Sequence, residues 1–389
     1  MALKHPERWE QRLLTSLQPI LQLLEEESVT EIEVNGFNHI RAKGHRWRGH
    51  RVMEGIRWPS RESLITACTR ISEVTGRIVN DKRPLYDGRL PDGSRINIVV
   101  APSCELVSIT IRKFPAETMS LEKLLGYGAL NPEVIEILHS LILARKNILV
   151  SGGTNSGKTS LLNALSRLIP EEERIVTVED SRELQIKQAN WVALETVQAF
   201  KEDMVDVPIR ALVKNTLRMT PDRIVVGECR GDEALDLLRA FSTGHSGGLS
   251  TVHANSAADA LDQIQLLAQF GVSGGVSGAT VAQLVARAID IVIQVKQYEE
   301  DDSRKVAEII EVERPYGVRI QDGAAQYLVR SLVRYEVTGV ERNGEDPRIL
   351  GRWIHPEPPS GLLQATLQFK GLPWPEASLH AHEEAACLT

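Results

Sequence analysis

Residues 147–159 read Asn-Ile-Leu-Val-Ser-Gly-Gly-Thr-Asn-Ser-Gly-Lys-Thr, an apolar run that breaks into glycine and ends on Lys158-Thr159. From Gly152 onward the spacing is G-x-x-x-x-G-K-T, with a predicted strand before it and a predicted helix after it. Glycines have no Cβ atom, so backbone N–H groups can curl around phosphate oxygens, and the positive end of the helix points at the same place. The stretch is therefore a candidate phosphate-binding loop, or P-loop.

The motif gives the loop residues specific roles. Lys158 is expected to reach the β- and γ-phosphates of a nucleotide, and the Thr159 hydroxyl is expected to be a ligand of Mg²⁺. ATP and Mg²⁺ are the expected cofactors. The residues expected to contact the nucleotide are Gly152, Gly153, Thr154, Asn155, Ser156, Gly157, Lys158, Thr159 and Ser160.

Length and composition indicate a soluble protein of two domains with an appendage. The chain has 389 residues, which is too many for one ordinary core, and 42% of them are hydrophobic. No stretch approaches the roughly 20 consecutive apolar residues that cross a bilayer. The start of the chain lacks the features of a signal peptide. The four cysteines are far apart with no C-x-x-C pair, which argues against a disulfide framework or a zinc site and favours the cytoplasm.

The charge balance argues against nucleic acid as a direct ligand. The chain carries 45 Lys and Arg against 52 Asp and Glu, a net charge of −7. That sign is wrong for a protein whose whole surface binds nucleic acid. A local basic site remains compatible with this sum.

Residues 1–114 have the mixed pattern of a smaller α+β domain. The apolar spacing of residues 10–27 predicts an amphipathic helix, and the alternation of Val29 to Val34 before Asn35-Gly36 predicts one arm of a hairpin. A helix is predicted over 60–72, and strands over 96–100 and 106–111, so the domain should contain an antiparallel sheet. Residues 115–120 are the predicted linker, with a hinge over Phe114 to Thr118.

Residues 121–298 alternate strands with helices, which predicts a parallel sheet in an α/β, RecA-like P-loop domain. The tail, 299–389, opens on an acidic run and is predicted to be a short β-rich appendage that ends in disorder past Pro375. The predicted strands of the α/β domain are 147–151, 174–178, 222–228, 249–253 and 289–295.

Three of these strands end in charged or imidazole side chains, Glu179, Glu228 and His253. Ligands of open α/β sheets bind at the carboxyl ends of strands, so all three should face the nucleotide. Glu228 has the Walker-B position of an acid that binds Mg²⁺, directly or through water, and Glu179 is our candidate general base. Sequence alone does not separate these two roles. His253 is expected to hydrogen-bond to the γ-phosphate or the acid cluster; a buried structural histidine is the alternative.

Four segments in order, residues 152–159, 177–180, 217–234 and 243–256, together resemble the secretion traffic ATPases, which drive type II and type IV secretion and pilus assembly. The resemblance covers about residues 29–295 and is strongest to the Flp/Tad pilus and conjugal-transfer branch. A zinc module of four cysteines, found in type II secretion and type IVa pilus relatives, is absent. The segments are Gly-Gly-Thr-Asn-Ser-Gly-Lys-Thr (152–159), Thr-Val-Glu-Asp (177–180), Leu-Arg-Met-Thr-Pro-Asp-Arg-Ile-Val-Val-Gly-Glu-Cys-Arg-Gly-Asp-Glu-Ala (217–234) and Thr-Gly-His to His-Ala-Asn-Ser (243–256).

The resemblance implies a homohexameric ring of cytoplasmic ATPase subunits, peripherally associated with the inner membrane. Its partners would be inner-membrane platform or secretion-channel proteins. N-domain arginines close on the phosphates in such rings, and Arg95 and Arg112 are the candidates here, with Arg89 a weaker one. Arg230 is a candidate ring contact.

The chain departs from the branch at two positions. Val197 and Thr220 stand where arginine is common in the branch. The sequence therefore does not establish whether the inter-subunit contacts of the family form in this chain. Two further function classes are kept: a hexameric, helicase-like nucleic-acid motor, and a non-catalytic nucleotide-gated assembly factor, which the altered positions Val197 and Thr220 suggest. A GTPase is disfavoured because no N-K-x-D motif occurs.

Overall fold

The structure, a computed structural model, forms two compact units, Met1–Glu117 and Thr118–Thr389. Most of the predicted linker, 115–118, lies outside the described residues, as does the predicted disordered end, 376–389. The residues that the structure describes are 9–44, 47, 49–75, 78–114, 119–197, 205–272, 276–314, 317–321, 324–343 and 346–375.

The N-terminal unit is built on a six-stranded antiparallel sheet, as the sequence predicts. The order is β3-β2-β1-β6-β5-β4, and apolar residues alternate onto one face, where they share a core with the helices. The predicted helix over 10–27 is interrupted by a 3₁₀ turn at Gln18–Ile20, because Pro19 has no N–H to continue an α-helix. The elements are α1 Gln11–Leu17, α2 Leu21–Glu25, β1 Val29–Asn35, β2 Ile40–Gly44, β3 His50–Val52, α3 Arg61–Thr75, β4 Leu85–Arg89, β5 Arg95–Val99 and β6 Ser108–Arg112.

The C-terminal unit is a mixed α/β fold around a nine-stranded sheet. Its strand order is β17-β16-β13-β12-β7-β11-β10-β8-β9, and a separate hairpin pairs β14 with β15. The strands are β7 Ile148–Gly152, β8 Ile175–Glu179, β9 Trp191–Glu195, β10 Arg223–Val226, β11 Leu249–His253, β12 Ile291–Gln297, β13 Arg304–Val312, β14 Val318–Gln321, β15 Ala324–Tyr327, β16 Val329–Asn343 and β17 Asp346–Ile354. The helices are α4 Leu121–Gly126, α5 Pro132–Leu143, α6 Lys158–Ser166, α7 Ile209–Thr216, α8 Glu233–Ser242, α9 Ala257–Phe270, α10 Gly278–Ala288 and α11 Gly361–Phe369.

β7 runs through the middle of this sheet and is buried on both faces. Ile148 and Val150 pack into one core with α5 and α6, whereas Leu149 packs into the other with α8, α9 and α10. Such a doubly covered strand reads as a continuous apolar run, which is the pattern of the sequence before the loop. The pairings of β7 with β11 and β12 are parallel, so several strands end at the same edge as the loop.

The predicted C-terminal appendage, as far as it is described, continues the sheet of the α/β unit. β13 pairs antiparallel with β12 from Ile291 to Gln297, and β16 and β17 follow it to the edge. Three elements of this region, β14, β17 and α11, are not predicted by the sequence analysis, which assigned no structure to these segments. The connection β12–β13 is a hairpin around the acidic run, which is why this region extends the sheet.

Asn147, at the start of β7, forms side-chain hydrogen bonds to the helices α8 and α10. Its side chain is buried, and its amide nitrogen donates to the carbonyls of Phe241 and Ala288, at 3.2 and 2.7 Å. Its Oδ1 accepts from the backbone N–H groups of Gly247 and Gly248, at 2.8 and 3.0 Å. One side chain therefore satisfies four backbone groups beneath the strand that carries the loop.

Replacing Asn147 by alanine should lower the free energy of unfolding by about 3 kcal/mol or more, because several buried backbone groups lose their partners at once. The unfolding transition of the C-terminal unit, followed in chemical denaturant, measures this change in stability. The matched control is Asn215→Ala on the exposed side of α7, which should change stability by less than about 0.5 kcal/mol. Equal effects of the two substitutions would show that Asn147 has no such role.

Candidate functional site

The loop between β7 and α6 depends on glycine at both of its ends. A Cβ atom at Gly152 would lie 2.4 Å from the carbonyl oxygen of Val295 on β12. Gly157, at the N-cap of α6, has φ +99°, a left-handed conformation that glycine adopts without strain. Asn155 at the tip has φ +59°, which asparagine tolerates better than most residues. The loop is thus shaped to present backbone N–H groups at the N-terminus of α6.

Lys158 is folded against this loop. Its side chain is buried, and its ammonium donates to the carbonyl oxygens of Gly152 and Gly153, at 2.9 and 2.8 Å. Its Nζ also lies 3.2 Å from Nδ1 of His253, at the end of β11. A bound phosphate would exchange neutral acceptors for a charged one, which makes a stronger hydrogen bond.

Glu179 is the buried carboxylate at the end of β8. Its Oε1 accepts from the backbone N–H groups of Glu183 and Leu184, at 2.8 and 2.9 Å, and these two bonds fix the orientation of the group. A Cβ atom at Gly227 would come within 3.0 Å of the Glu179 Cγ, so Gly227 makes room for the side chain. Glu179 therefore packs beside the residue that precedes Glu228.

Glu228 follows β10 and joins a series of charged contacts. Oε1 of Glu228 lies 2.7 Å from Nε2 of His253, and Oε2 accepts from Nε of Arg230, also at 2.7 Å. Arg230 in turn lies 3.5 Å from Asp180, the residue after Glu179. The structure thus brings Lys158, His253 and Glu228 into one continuous line, from the loop to the end of a neighbouring strand.

These contacts select one state of His253. Burial lowers its pKa, and the Lys158 charge lowers it further, against the opposing effect of Glu228. A neutral imidazole can accept from the Lys158 ammonium at Nδ1, while its Nε2 lies 2.7 Å from Oε1 of Glu228 without the alignment of a hydrogen bond. His253 is therefore a neutral link between a cation and an anion.

The pKa of His253 should lie below the ordinary value of about 6.5, and removing the Lys158 charge should move it upward. The Cε1 proton resonance, assigned by its loss in His253→Gln and followed by NMR from pH 8 to pH 5, measures this. Titration at or above the ordinary value in the wild type would contradict the contacts with Lys158. The sign follows from burial and a neighbouring cation, both of which disfavour the imidazolium.

The donor set fits Mg²⁺ rather than a metal held by the protein alone. The Thr159 hydroxyl in the first turn of α6 and the Glu228 carboxylate are hard oxygen ligands. Within the described ranges no group of three or more His, Cys, Asp or Glu side chains could hold a metal ion. Mg²⁺ usually takes one or two carboxylates together with substrate phosphates and waters, so this sparse set suits it.

Arg304, which the sequence analysis missed, lies against the loop from β13. Its Nε donates to the carbonyl oxygen of Asn155 at 2.7 Å, and a Cβ atom at Gly157 would come within 3.3 Å of its Cδ. Burial lowers the pKa of this guanidinium, which nevertheless stays charged. No local signal identifies Arg304, because its position depends on how β13 pairs with β12.

The arginines predicted in the N-terminal unit stand in one row across its sheet. Arg89 pairs with Arg95, Arg95 with Arg112, and Arg112 with Glu31, on β4, β5, β6 and β1. Directly paired residues point to the same face of a sheet, and like charges opposite each other are destabilising. The row therefore places three arginines side by side on one face of the sheet, next to Glu31.

The family model described as "Type II/IV secretion system protein" matches residues 14–323. The chain belongs to this family. The resemblance stated from the four sequence segments is thereby confirmed.

Relatives in the family include secretion and conjugation proteins. A putative conjugal transfer protein of Mycobacterium tuberculosis is 34% identical over 273 residues, which are 68% of this chain and 76% of the relative. The type IV secretion system protein VirB11 of Bartonella quintana is 31% identical over 323 residues, which are 74% of this chain and 90% of that protein. The chain therefore matches most of the length of each.

A solved structure supports the fold. The structure of the ATPase DotB from Yersinia pseudotuberculosis has a TM-score of 0.55 and 16% sequence identity, and the match covers 81% of this chain and 83% of that one. At this identity the likeness is evidence for the architecture alone. Among the described residues of this family member, no helix is long and apolar enough to span a membrane.

The two positions that depart from the family pattern have distinct local structures. Val197 forms an isolated antiparallel bridge with Val207, through hydrogen bonds of 3.1 and 2.8 Å. The stretch between them, 198–204, lies outside the described residues. Thr220 has φ +51°, a left-handed conformation that is uncommon for a β-branched residue. Neither position contributes to the line from Lys158 to Glu228.

Proposed function

We propose that the chain is a Mg²⁺-dependent ATPase that works as a homohexamer and powers type IV secretion, conjugation or assembly of a Flp/Tad-type pilus. The observation that carries the proposal is the line of contacts from Lys158 through His253 to Glu228. Membership of the secretion family supports a role in transport. A glycine-shaped loop with a buried lysine, next to two strand-end carboxylates, suits phosphoryl transfer to water.

The side chains divide the work of hydrolysis. Lys158 and the loop N–H groups bind the phosphates, and their fixed charges stabilise the negative charge that develops during transfer. Glu179, held by two backbone N–H groups, polarises the attacking water as general base. Bound Mg²⁺ would offset phosphate charge, with Thr159 and Glu228 as the residues that hold it, Glu228 directly or through a water molecule.

His253 would make the contacts of Glu228 depend on whether the loop holds a phosphate. When Lys158 turns from Nδ1 of His253 to a phosphate, the imidazole loses its donor and its contact with Glu228 can change. Arg230, paired with Glu228 and Asp180, then becomes the competing partner of the carboxylate. This exchange would connect nucleotide binding to the adjoining strand ends.

The remaining assignments follow the family resemblance. Arg95 and Arg112 of the N-terminal unit are proposed to contact the phosphates, supported by the row of like charges across that sheet. The protein would act at the cytoplasmic face of the inner membrane, with a membrane platform or a secretion channel as its partner. Arg230 keeps a second proposed role as a contact between subunits.

Phosphate release and solution mass test the proposal. The purified protein should release phosphate from ATP only with Mg²⁺, and light scattering should give about six times the mass of 43.2 kDa when a non-hydrolysable ATP analogue is present. Nucleotide binding with no release above a Glu179→Gln background would favour the non-catalytic assembly factor instead. Strong stimulation by single-stranded DNA would favour the nucleic-acid motor.

A further inference from the structure

A basic cleft opens at the other edge of the C-terminal sheet, beside the start of β7. It encloses about 370 Å³, at the lower end of the range for small-molecule sites, and Phe241 and Asn147 form part of its wall. The cleft belongs to no part of the ATPase proposal, because the candidate loop stands at the opposite end of the same strand. The charged residues that line it are Arg145, Lys146, Arg287, Asp290, Arg314 and Lys370.

The charge of this cleft contrasts with that of the whole chain. Five cationic side chains and one carboxylate line the cleft, and a second carboxylate, that of Glu173, lies 3.5 Å from Arg145; the chain as a whole carries −7. The lining carboxylate, Asp290, is already engaged: Oδ2 accepts from the backbone N–H of Asn147 at 2.9 Å, and Oδ1 lies 3.0 Å from Arg314. A concave site lined by one sign of charge concentrates the field and attracts compact ions of the other sign.

Three of the cations are held in place by backbone carbonyls. Arg145 donates to Asp222 at 2.7 Å, Lys370 to Leu143 at 3.3 Å, and Arg314 to Arg287. Because each guanidinium or ammonium has several donors, one such bond leaves others for a ligand. These contacts position the groups before any ligand arrives.

The other two cations, Arg287 and Lys146, form no ion pair with a carboxylate in the part of the chain that the structure describes. Arg287 is at the end of α10 and is exposed, and Lys146 precedes β7 and is half-buried. Both lie on the cleft, where their charges add to those of the anchored groups. We propose that this cleft binds a phosphate-bearing group, either on a free phosphorylated compound or on the headgroup of an anionic lipid.

The chemistry favours phosphate over a single carboxylate. Guanidinium groups bind phosphate oxygens through paired N–H donors, and lysine adds a point charge. A doubly charged, compact group offsets more of the repulsion among five cations than a monovalent one does. One further observation favours an anionic lipid as the ligand. The side chain of Phe369, next to Lys370 at the end of α11, is 90% exposed.

Calorimetric titration with pyrophosphate, in the Lys158→Ala background, tests the site without interference from the loop. Binding should persist in that background and weaken about tenfold or more in the added double variant Arg287→Gln/Lys146→Gln. Arg352→Gln, an exposed arginine on β17 outside the cleft, is the matched control and should leave affinity unchanged. Circular dichroism and thermal melting establish that each variant is folded.

Sedimentation with vesicles distinguishes the two sources. Phosphatidylglycerol vesicles, but not phosphatidylcholine vesicles, should bind if the headgroup is the ligand, and Phe369→Ser should then weaken vesicle binding without affecting pyrophosphate. Pyrophosphate binding without vesicle binding assigns the site to a free phosphorylated compound. Loss of all binding in Lys158→Ala, or equal binding by the double variant and Arg352→Gln, would overturn the proposal. Because the loop lysine is absent throughout, failure here leaves the ATPase proposal untouched.

Discussion

Replacing Lys158 by alanine should reduce Mg²⁺-dependent ATP hydrolysis by about 10²- to 10³-fold or more, the usual effect of removing one preorganised charge-stabilising donor. Nucleotide affinity should fall as well, because the lysine is proposed to contact phosphate before and during transfer. Phosphate release under saturating ATP and binding of a fluorescent ATP analogue measure the two effects separately.

The fold should survive this substitution, although Lys158 is buried and donates to two loop carbonyls. Thermal melting is the necessary companion measurement, and Lys187→Ala, an exposed lysine after β8, is the matched control. Undiminished hydrolysis by a folded Lys158→Ala protein would mean that the loop is not the nucleotide site, and the functional proposal would fall.

Glu179→Gln should lower the rate of hydrolysis by about 10²- to 10⁴-fold while leaving ATP binding intact, because it removes the proposed general base but keeps the shape of the side chain. The amide oxygen of glutamine can still accept from the N–H groups of Glu183 and Leu184. The substitution should therefore lower the single-turnover rate of phosphate release by orders of magnitude, whereas the equilibrium affinity for ATP should stay the same.

Glu228→Gln provides the comparison that separates the two carboxylates. It weakens the contacts with Arg230 and His253, so the expected signature is a higher Mg²⁺ concentration for half-maximal activity. Glu171→Gln, an exposed surface change, should have no effect on either measurement. If Glu179→Gln instead changed the Mg²⁺ requirement and Glu228→Gln only the rate, the two roles would have to be exchanged.

The parallel part of the sheet was predictable, apart from β9, which the sequence analysis missed, because its physical signals are local. Each buried strand is a short apolar run, and the residue after it lies at the carboxyl edge, where Lys158, His253 and Glu228 meet. In the N-terminal unit, period-two alternation and the Asn35-Gly36 turn were enough to predict an antiparallel sheet. The precise roles of Glu179, Arg95 and Arg112 stay predictions.

The remainder could not be predicted because it depends on register between distant segments. Arg304 reaches the loop only because β13 pairs with β12 from Gln297 back to Ile291. The row of Arg89, Arg95 and Arg112 likewise emerges only when three strands are aligned. The basic cleft is lined by residues from segments more than 200 positions apart. The net charge of the chain is compatible with such a basic site, but it does not indicate which residues form it.

The pairing of β7 on both sides has a mechanical consequence. Every residue from Ile148 to Gly152 is in register with β11 on one flank and β12 on the other. Sliding the strand by one position would move each side chain into the core on the opposite face of the sheet, so we expect β7 to stay fixed relative to its neighbours. Within the C-terminal unit, we therefore expect nucleotide binding in the proposed ATPase to be accompanied by peptide rotations in residues 153–157 and by movement of side chains such as His253, rather than by displacement of β7.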